Sequence, residues 1–272
     1  MIEPLTDATS LRAIAEIAML GAVGGALGCW IVLYGLSYSA ESLSHSIFPG
    51  LVLAALAGAP ILIGGAAGIL VAALGIALAS RIPVVERDVA VGVVVTVSFG
   101  SGVLLALSPD SPPGIGELLF GDILGVTDTE LALAAGLVGV TAVILRVMHG
   151  RLLAVGFDRT SAKSVGASPA ISDAVVLSLL AIAILVAVQG LGNLLVVAVL
   201  VAPAATARLL TRRAVPMMAA GSAIGVLGGV AGVYASYHLE TAAGASIALT
   251  LVAVHLVVAI TVGIGRLAGA RA

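Results

Sequence analysis

Charge is scarce in this chain, and so are cysteine and aromatic side chains. Of 272 residues only 10% are charged, 3% are aromatic and one, Cys29, is a cysteine, whereas 61% are hydrophobic. No water-soluble domain is built from that mixture, because its surface must be solvated. The single thiol excludes an intrachain disulfide and a cysteine-cluster metal site. A basic opening segment is missing too: Glu3, Asp7, Arg12 and Glu16 mix both signs, so the first apolar run reads as a retained helix, not a secretory signal. A nucleotide-binding loop is also missing. Thr160 to Ser164 ends like one, but no glycine precedes Lys163, none lies five positions earlier, and no strand leads into it. No His-Glu-x-x-His helix occurs. Any work this chain does therefore draws its energy from a partner or an ion gradient.

What is present is a succession of apolar stretches, each long enough to cross about 30 Å of hydrocarbon. Hydropathy and helix breakers predict about nine spans, near 13–36, 42–59, 61–80, 89–107, 129–148, 171–189, 192–209, 215–236 and 245–265. Pro60, Arg81 with Pro83, and Gly190 with Gly192 mark three of the boundaries. The expected fold class is all-α, a polytopic membrane helical bundle, with residues 1–272 as one transmembrane domain. Glycine is plentiful, at 34 residues. Pairs such as Gly21/Gly25, Gly24/Gly28, Gly64/Gly68, Gly221/Gly225 and Gly228/Gly232 are spaced for close helix approach.

The few charges are placed unevenly. Of twelve basic residues, all but Arg12 fall in four places: Arg81 and Arg87, Arg146 to Lys163, Arg208 to Arg213, and Arg266 with Arg271. Nine spans put these four places on one face, which the positive-inside rule makes cytoplasmic. The loop from Ser108 to Glu130 holds Asp110, Glu117, Asp122, Asp128 and Glu130 without a basic residue. The N-terminus is then outside and the C-terminus cytoplasmic.

An ionisable side chain inside a span is costly and marks a functional candidate. Glu41-Ser-Leu-Ser-His45, followed by Pro49-Gly50, is the densest polar group. Glu41 and His45 are four apart, so one helical face offers a carboxylate and an imidazole, a ligand set suited to manganese, iron or zinc. The plainer reading makes this a helix start at the interface, with Glu41 and Ser42 as caps, and spacing alone leaves both open. His238 and Glu240, between the last two spans, could capture a cation at the outer mouth or simply sit in a solvated loop. His255 reads as a polar contact between helices, and His149 as interfacial.

Five ordered segments give the chain a resemblance to the permeases of metal-type ABC importers. Glu41 to Gly50 resembles that family's Asp-Ala-x-Ser-His-x-x-x-Pro-Gly segment, and Leu119 to Val126 its Leu-Phe-Gly-Asn/Asp-Leu-Leu-x-Val turn. Phe157-Asp158 through Ala162 to Gly166 is similar to Phe-Asp-x-x-x-Ala-x-x-x-Gly, Pro203 to Arg208 to Pro-Ala-Ala-Thr-Ala-Arg, and Ser236-Tyr237 with Gly244 to Ser-Tyr-x-x-Asp-x-x-x-Gly. The resemblance implies that residues 157–168 form a coupling helix seated on a cytoplasmic ABC ATPase dimer, with Phe157, Asp158, Ala162 and Gly166 as its marks. It further implies a second copy of the permease, an extracellular or periplasmic metal-binding protein, and a bacterial plasma (inner) membrane location among lipid. No permanent cofactor and no nucleic acid are expected; the cargo would be Mn2+ or Zn2+, with Fe2+ possible. Glu41, His45 and Glu240 match metal-contact positions, although Glu41 replaces the usual aspartate; His238 is added on ligand chemistry alone. The Ser-His-x-x-x-Pro-Gly version favours manganese. Rival readings are a secondary transporter of small organic solutes, for which no repeat between halves is visible, an ABC permease for a chelated metal or cobalamin-like ligand, and a scaffold.

Overall fold

The structure is a computed structural model and describes residues 8–79, 82, 87–109, 114, 115 and 117–269. Arg81, Pro83, Asp110 and Arg271, which entered the boundary and charge readings, lie outside the described residues. Helix accounts for the architecture: α1 (Ala8–Tyr34), α2 (Ser37–Leu56), α3 (Ile61–Ala79), α4 (Arg87–Ala106), the short α5 (Glu117–Phe120), α6 (Asp128–Phe157), α7 (Pro169–Leu191), α8 (Val196–Leu210), α9 (Ala214–Leu239) and α10 (Ala243–Gly269). Among the described residues two 3-10 turns, Ile123–Gly125 and Ser161–Val165, stand in the connections. Saturating every backbone group within the segment is what a hydrocarbon solvent demands.

Among the described residues seven helices are long and apolar enough to cross a membrane: α1, α3, α4 over Val89–Ala106, α6, α7, α9 and α10 over Ala243–Gly265. The expected nine are met only to that extent. Helix α2 is diluted by Ser37, Ser39, Glu41, Ser42, Ser44, His45 and Ser46 in its first half. Helix α8 has 15 residues, about 22 Å of rise, short of the ~30 Å core. At the other extreme, α6 runs on to Phe157 where the expected span stopped at 148; Arg146, His149 and Arg151 end the apolar run but not the helix.

Helix α1 is the hub. It packs on α9, α8 and α6, while α2 packs on α3 and α4, and α7 lies between the two groups. The glycine spacing explains how close α1 comes. A methyl placed on Gly25 would stand 2.1 Å from the Gly221 backbone, and one on Gly21 would stand 2.5 Å from Gly225. Only hydrogen fits there, so the α1 and α9 backbones touch, in the manner of small-xxx-small crossings. Ser222 adds a hydrogen bond to the Ala22 carbonyl, 2.7 Å. On α8, Pro203 cannot donate to the Val199 carbonyl, and that carbonyl faces Gly24 of α1, 2.5 Å from where a methyl would be. Cys29 is fully buried, its thiol donates to the Gly25 carbonyl at 3.1 Å, and it clusters with Ala204, Ala207 and Met217.

The shortness of α8 has a partner feature. Residues 118–121, carrying part of the Leu-Phe-Gly-Asp segment, fold against the α7–α8 turn. The backbone N–H groups of Asp122, Asn193 and Leu194 donate to the carbonyls of Gln189, Leu118 and Leu119 at 3.2, 3.0 and 3.2 Å. Gly121 (φ 77°) and Gly192 (φ 75°) face each other, and a methyl on either would meet the other strand of chain at 2.3 Å. Irregular backbone is thereby satisfied by other backbone, the condition for its burial in a membrane protein.

Candidate metal site and coupling turn

Helix α2 begins at Ser37, with Leu36 before it making no side-chain cap. Glu41 and His45 therefore lie inside the helix, and the interpretation of Glu41 and Ser42 as caps falls away. His45 Nε2 stands 4.0 Å from Glu41 Oε1. The imidazole is 27% exposed and the carboxylate 62%, so the carboxylate is the more open of the two. The other ring nitrogen, His45 Nδ1, is buried without a hydrogen-bond partner. Phe99 of α4 holds the ring edge-on at 4.9 Å and packs on Phe48 at 5.6 Å. Pro49 sits within α2 without breaking it, and the His45 carbonyl loses its usual donor four residues on. Metal bonds to imidazole nitrogen and carboxylate oxygen are each about 2.0–2.2 Å, so two donors 4.0 Å apart lie within the span of one ion.

The second polar pair is not drawn into this site. His238 is exposed near the end of α9, its ring between Tyr234 at 4.5 Å and Tyr237 at 5.4 Å. Glu240 follows as the cap, with φ 52°, the left-handed region an L side chain seldom adopts. Ser236 supports the turn by donating to the Thr241 carbonyl at 2.6 Å. Among the described residues no three His, Cys, Asp or Glu side chains gather as a metal cluster. His255 Nδ1 meets Thr206 Oγ1 of α8 at 3.1 Å, a contact between helices, and His149 stacks edge-on to Trp30 at 5.7 Å.

The expected coupling helix is smaller than anticipated. Phe157 is the last residue of α6 and Asp158 its cap; only Ser161–Val165 then turns, as a 3-10 segment closed by Gly166 at φ 75°. The Asp158 carboxylate accepts from Ser161 Oγ and from the Thr160 N–H. These bonds, the Ser161 hydroxyl first, hold its carboxyl below the usual range. Ala162 is buried beneath the turn, whereas Phe157 is 93% exposed, an aromatic ring left with nothing to cover it. Arg159 pairs with Asp173 of α7, and the hydrogen bond from that pairing raises its guanidinium above its ordinary value.

Two sets of residues escaped the sequence reading. Glu16 is fully buried in α1, both carboxylate oxygens lack a partner, and Gly190 faces it so closely that a methyl there would stand only 3.1 Å from Oε1. The sequence signal was there, an acid one turn inside an apolar run, but it was grouped with the mixed charges before it. Ser44 donates to the Asn193 carbonyl at 2.7 Å across 149 positions, which no local pattern announces.

A bundle of this kind, with seven helices apolar and long enough to cross a bilayer, is a multi-pass membrane protein. The chain belongs to the ABC 3 transport family, whose profile matches residues 6–262. It is similar to the manganese transport system membrane protein MntC of Halalkalibacterium halodurans, 32% identical over 239 residues, covering 88% of this chain and 82% of the relative. It is equally similar to the chelated iron transport system membrane protein YfeC of Yersinia pestis, 32% identical over 244 residues, covering 90% and 83%. Among solved structures, PsaBC from Streptococcus pneumoniae in complex with Fab superposes with a TM-score of 0.86 at 29% identity, over 93% of this chain and 92% of that one.

Proposed function

We propose that this chain is the non-catalytic permease of an ATP-driven importer of divalent transition metal, manganese before iron or zinc. The carrying observation is the imidazole and carboxylate of His45 and Glu41, 4.0 Å apart inside α2, in a family of transport permeases. Two donors are too few for a resident ion, which suits a cargo that must leave again; a second copy of the chain, or water, supplies the remaining ligands. His238 and Glu240 would meet the ion earlier, at the outer mouth, after delivery by an extracellular binding protein. Manganese is favoured by the relatives named for it, and iron is the second reading because another relative carries that name.

In this reading α2 and α8 cross the membrane along with the seven helices that are both long and apolar enough, placing the N-terminus outside. The basic end, with Arg146, Arg151, Arg208, Arg212 and Arg213 exposed, faces the cytoplasm. An ATPase dimer would then cover Phe157 and grip the turn around Asp158, Ala162 and Gly166. ATP-driven closure of the dimer shifts these turns, and the bundle changes the face on which Glu41 and His45 open. The test is uptake of radioactive manganese into vesicles holding the complete transporter. His45→Ala is expected to lower uptake at least about tenfold, the scale of one lost ligand-site interaction, with the complex still assembled. Undiminished uptake by that variant removes the site.

A further inference from the structure

Helix α7 differs from the other long helices in what its interior lacks. Between Pro169 at its first position and Gly190 in its last turn it holds neither glycine nor proline. Every other helix of fifteen residues or more among the described residues has at least one of them inside. Those are the residues at which helices bend, so α7 has no such bending point inside it over a length of about 35 Å. Both of its ends are tied by polar contacts to elements with proposed roles.

At the basic end, Arg159 of the coupling turn pairs with Asp173 in the second turn of α7. The same guanidinium lies 5.8 Å from the ring centre of Tyr34, in the last turn of α1, and the Tyr34 hydroxyl donates to the Leu152 carbonyl at 2.9 Å. Val155, Ala162 and Ala167 close around that ring. The coupling turn is thus pinned to α7 and α1 and has no loose hinge between them. At the opposite end, just past α7, Asn193 is fully buried. Ser44 Oγ donates to its backbone carbonyl at 2.7 Å and lies 3.3 Å from its side-chain oxygen. Ser44 is the residue before His45. Apart from Ser172, Ser178 and Gln189 the side chains of α7 between those ends are apolar, and apolar surfaces slide against their neighbours; the two polar contacts have direction and do not.

We propose that α7 is a push-rod, taking displacement of the coupling turn at Arg159–Asp173 and delivering it to the metal helix at Asn193–Ser44. The inference rests on the importer reading. Arg159, Asp173, Asn193 and Ser44 are positioning residues: they touch no cargo and act through α7 on where His45 stands.

The experiment measures ATP hydrolysis and radioactive manganese import in the same vesicles, with the complete transporter reconstituted. Arg159→Ala and Ser44→Ala are each expected to lower metal imported per ATP hydrolysed about tenfold, an ordinary size for coupling between two sites. Hydrolysis and assembly persist, because an exposed ion pair adds little to the fold. The double variant is expected to be no worse than either single one, since both cut the same rod. Exchanging the charges, Arg159→Asp with Asp173→Arg, restores the ratio. Should Ser44→Ala fail to assemble, Ile182→Gly softens the exposed mid-rod without touching a polar contact and is expected to lower the ratio likewise. An unchanged ratio in Arg159→Ala, or losses that multiply in the double variant, overturns the rod. Failure of the unmodified chain to assemble with any ATPase overturns the importer reading instead.

Discussion

Helix α1 and the turn that follows α6 are fixed in opposite ways. In α1 the backbone is held by contact: Gly21, Gly24, Gly25 and Gly28 lie against other main chain, and 61% of its most apolar stretch is buried. The turn from Asp158 to Gly166 is held by hydrogen bonds and an ion pair, nearly all exposed. Packing of the first kind is insensitive to salt and pH but intolerant of a single added carbon. Bonds of the second kind are individually weak and adjustable. The tightly packed hub and the hydrogen-bonded turn are thus separated within one chain.

The largest effect that would break this contrast is at Gly25. Gly25→Leu must force α1 and α9 apart, and thermal unfolding in detergent is expected to register a loss of about 3 kcal/mol or more. Gly139→Leu on α6, where a methyl would meet nothing within 4 Å, is expected to be neutral or mildly stabilising. Equal losses at both positions would mean that close backbone contact is not what holds α1. A smaller effect is expected at Glu16, where α1 breaks its own rule by burying a carboxyl without a donor. Such a group costs about 1–3 kcal/mol, so Glu16→Leu should raise the unfolding temperature; a fall would reveal a partner for the carboxyl in the assembled transporter.

The smallest effect concerns the turn and pH. Because the Asp158 carboxyl is held below its ordinary value, its contribution is fully present above that value, about pH 4, and is lost as pH falls through the folded value. Hydrogen exchange of the Thr160 amide should therefore be as protected at pH 5 as at pH 7, relative to its intrinsic rate, and lose protection only in stronger acid. Loss of protection already between pH 7 and 5 would assign the turn's order to some other group.

The helices were legible because hydrocarbon leaves the chain few choices: apolar length and breakers located the seven apolar helices long enough to cross a membrane, whereas α2 and α8, also expected as spans, are a polar-diluted helix and a short one. Glycine spacing was legible for the same reason, since Gly21/Gly25 and Gly221/Gly225 proved to be two sides of one contact. Helix ends were less so, because once outside an apolar run a helix such as α6 continues on polar side chains. The sequence placed Glu41 and His45 on one face from a spacing of four, which the 4.0 Å separation bears out as geometry; their contact with metal stays a proposal. What local pattern could not supply was long-range pairing. Ser44 with Asn193, Arg159 with Tyr34 and Asp173, and Glu16 against Gly190 each join helices that only the folded bundle brings together.

Cys29 has a practical consequence. It is the only cysteine in the chain, and its sulfur is sealed between α1, α8 and α9, out of reach of maleimides and other alkylating labels. New thiols introduced at exposed positions, such as Val165 in the turn after α6 and Leu194 beyond α7, would take up spin or fluorescent probes alone, without first stripping the native residue. Distances between such probes could then be followed under changing conditions in a molecule whose tightest helix contact had never been disturbed.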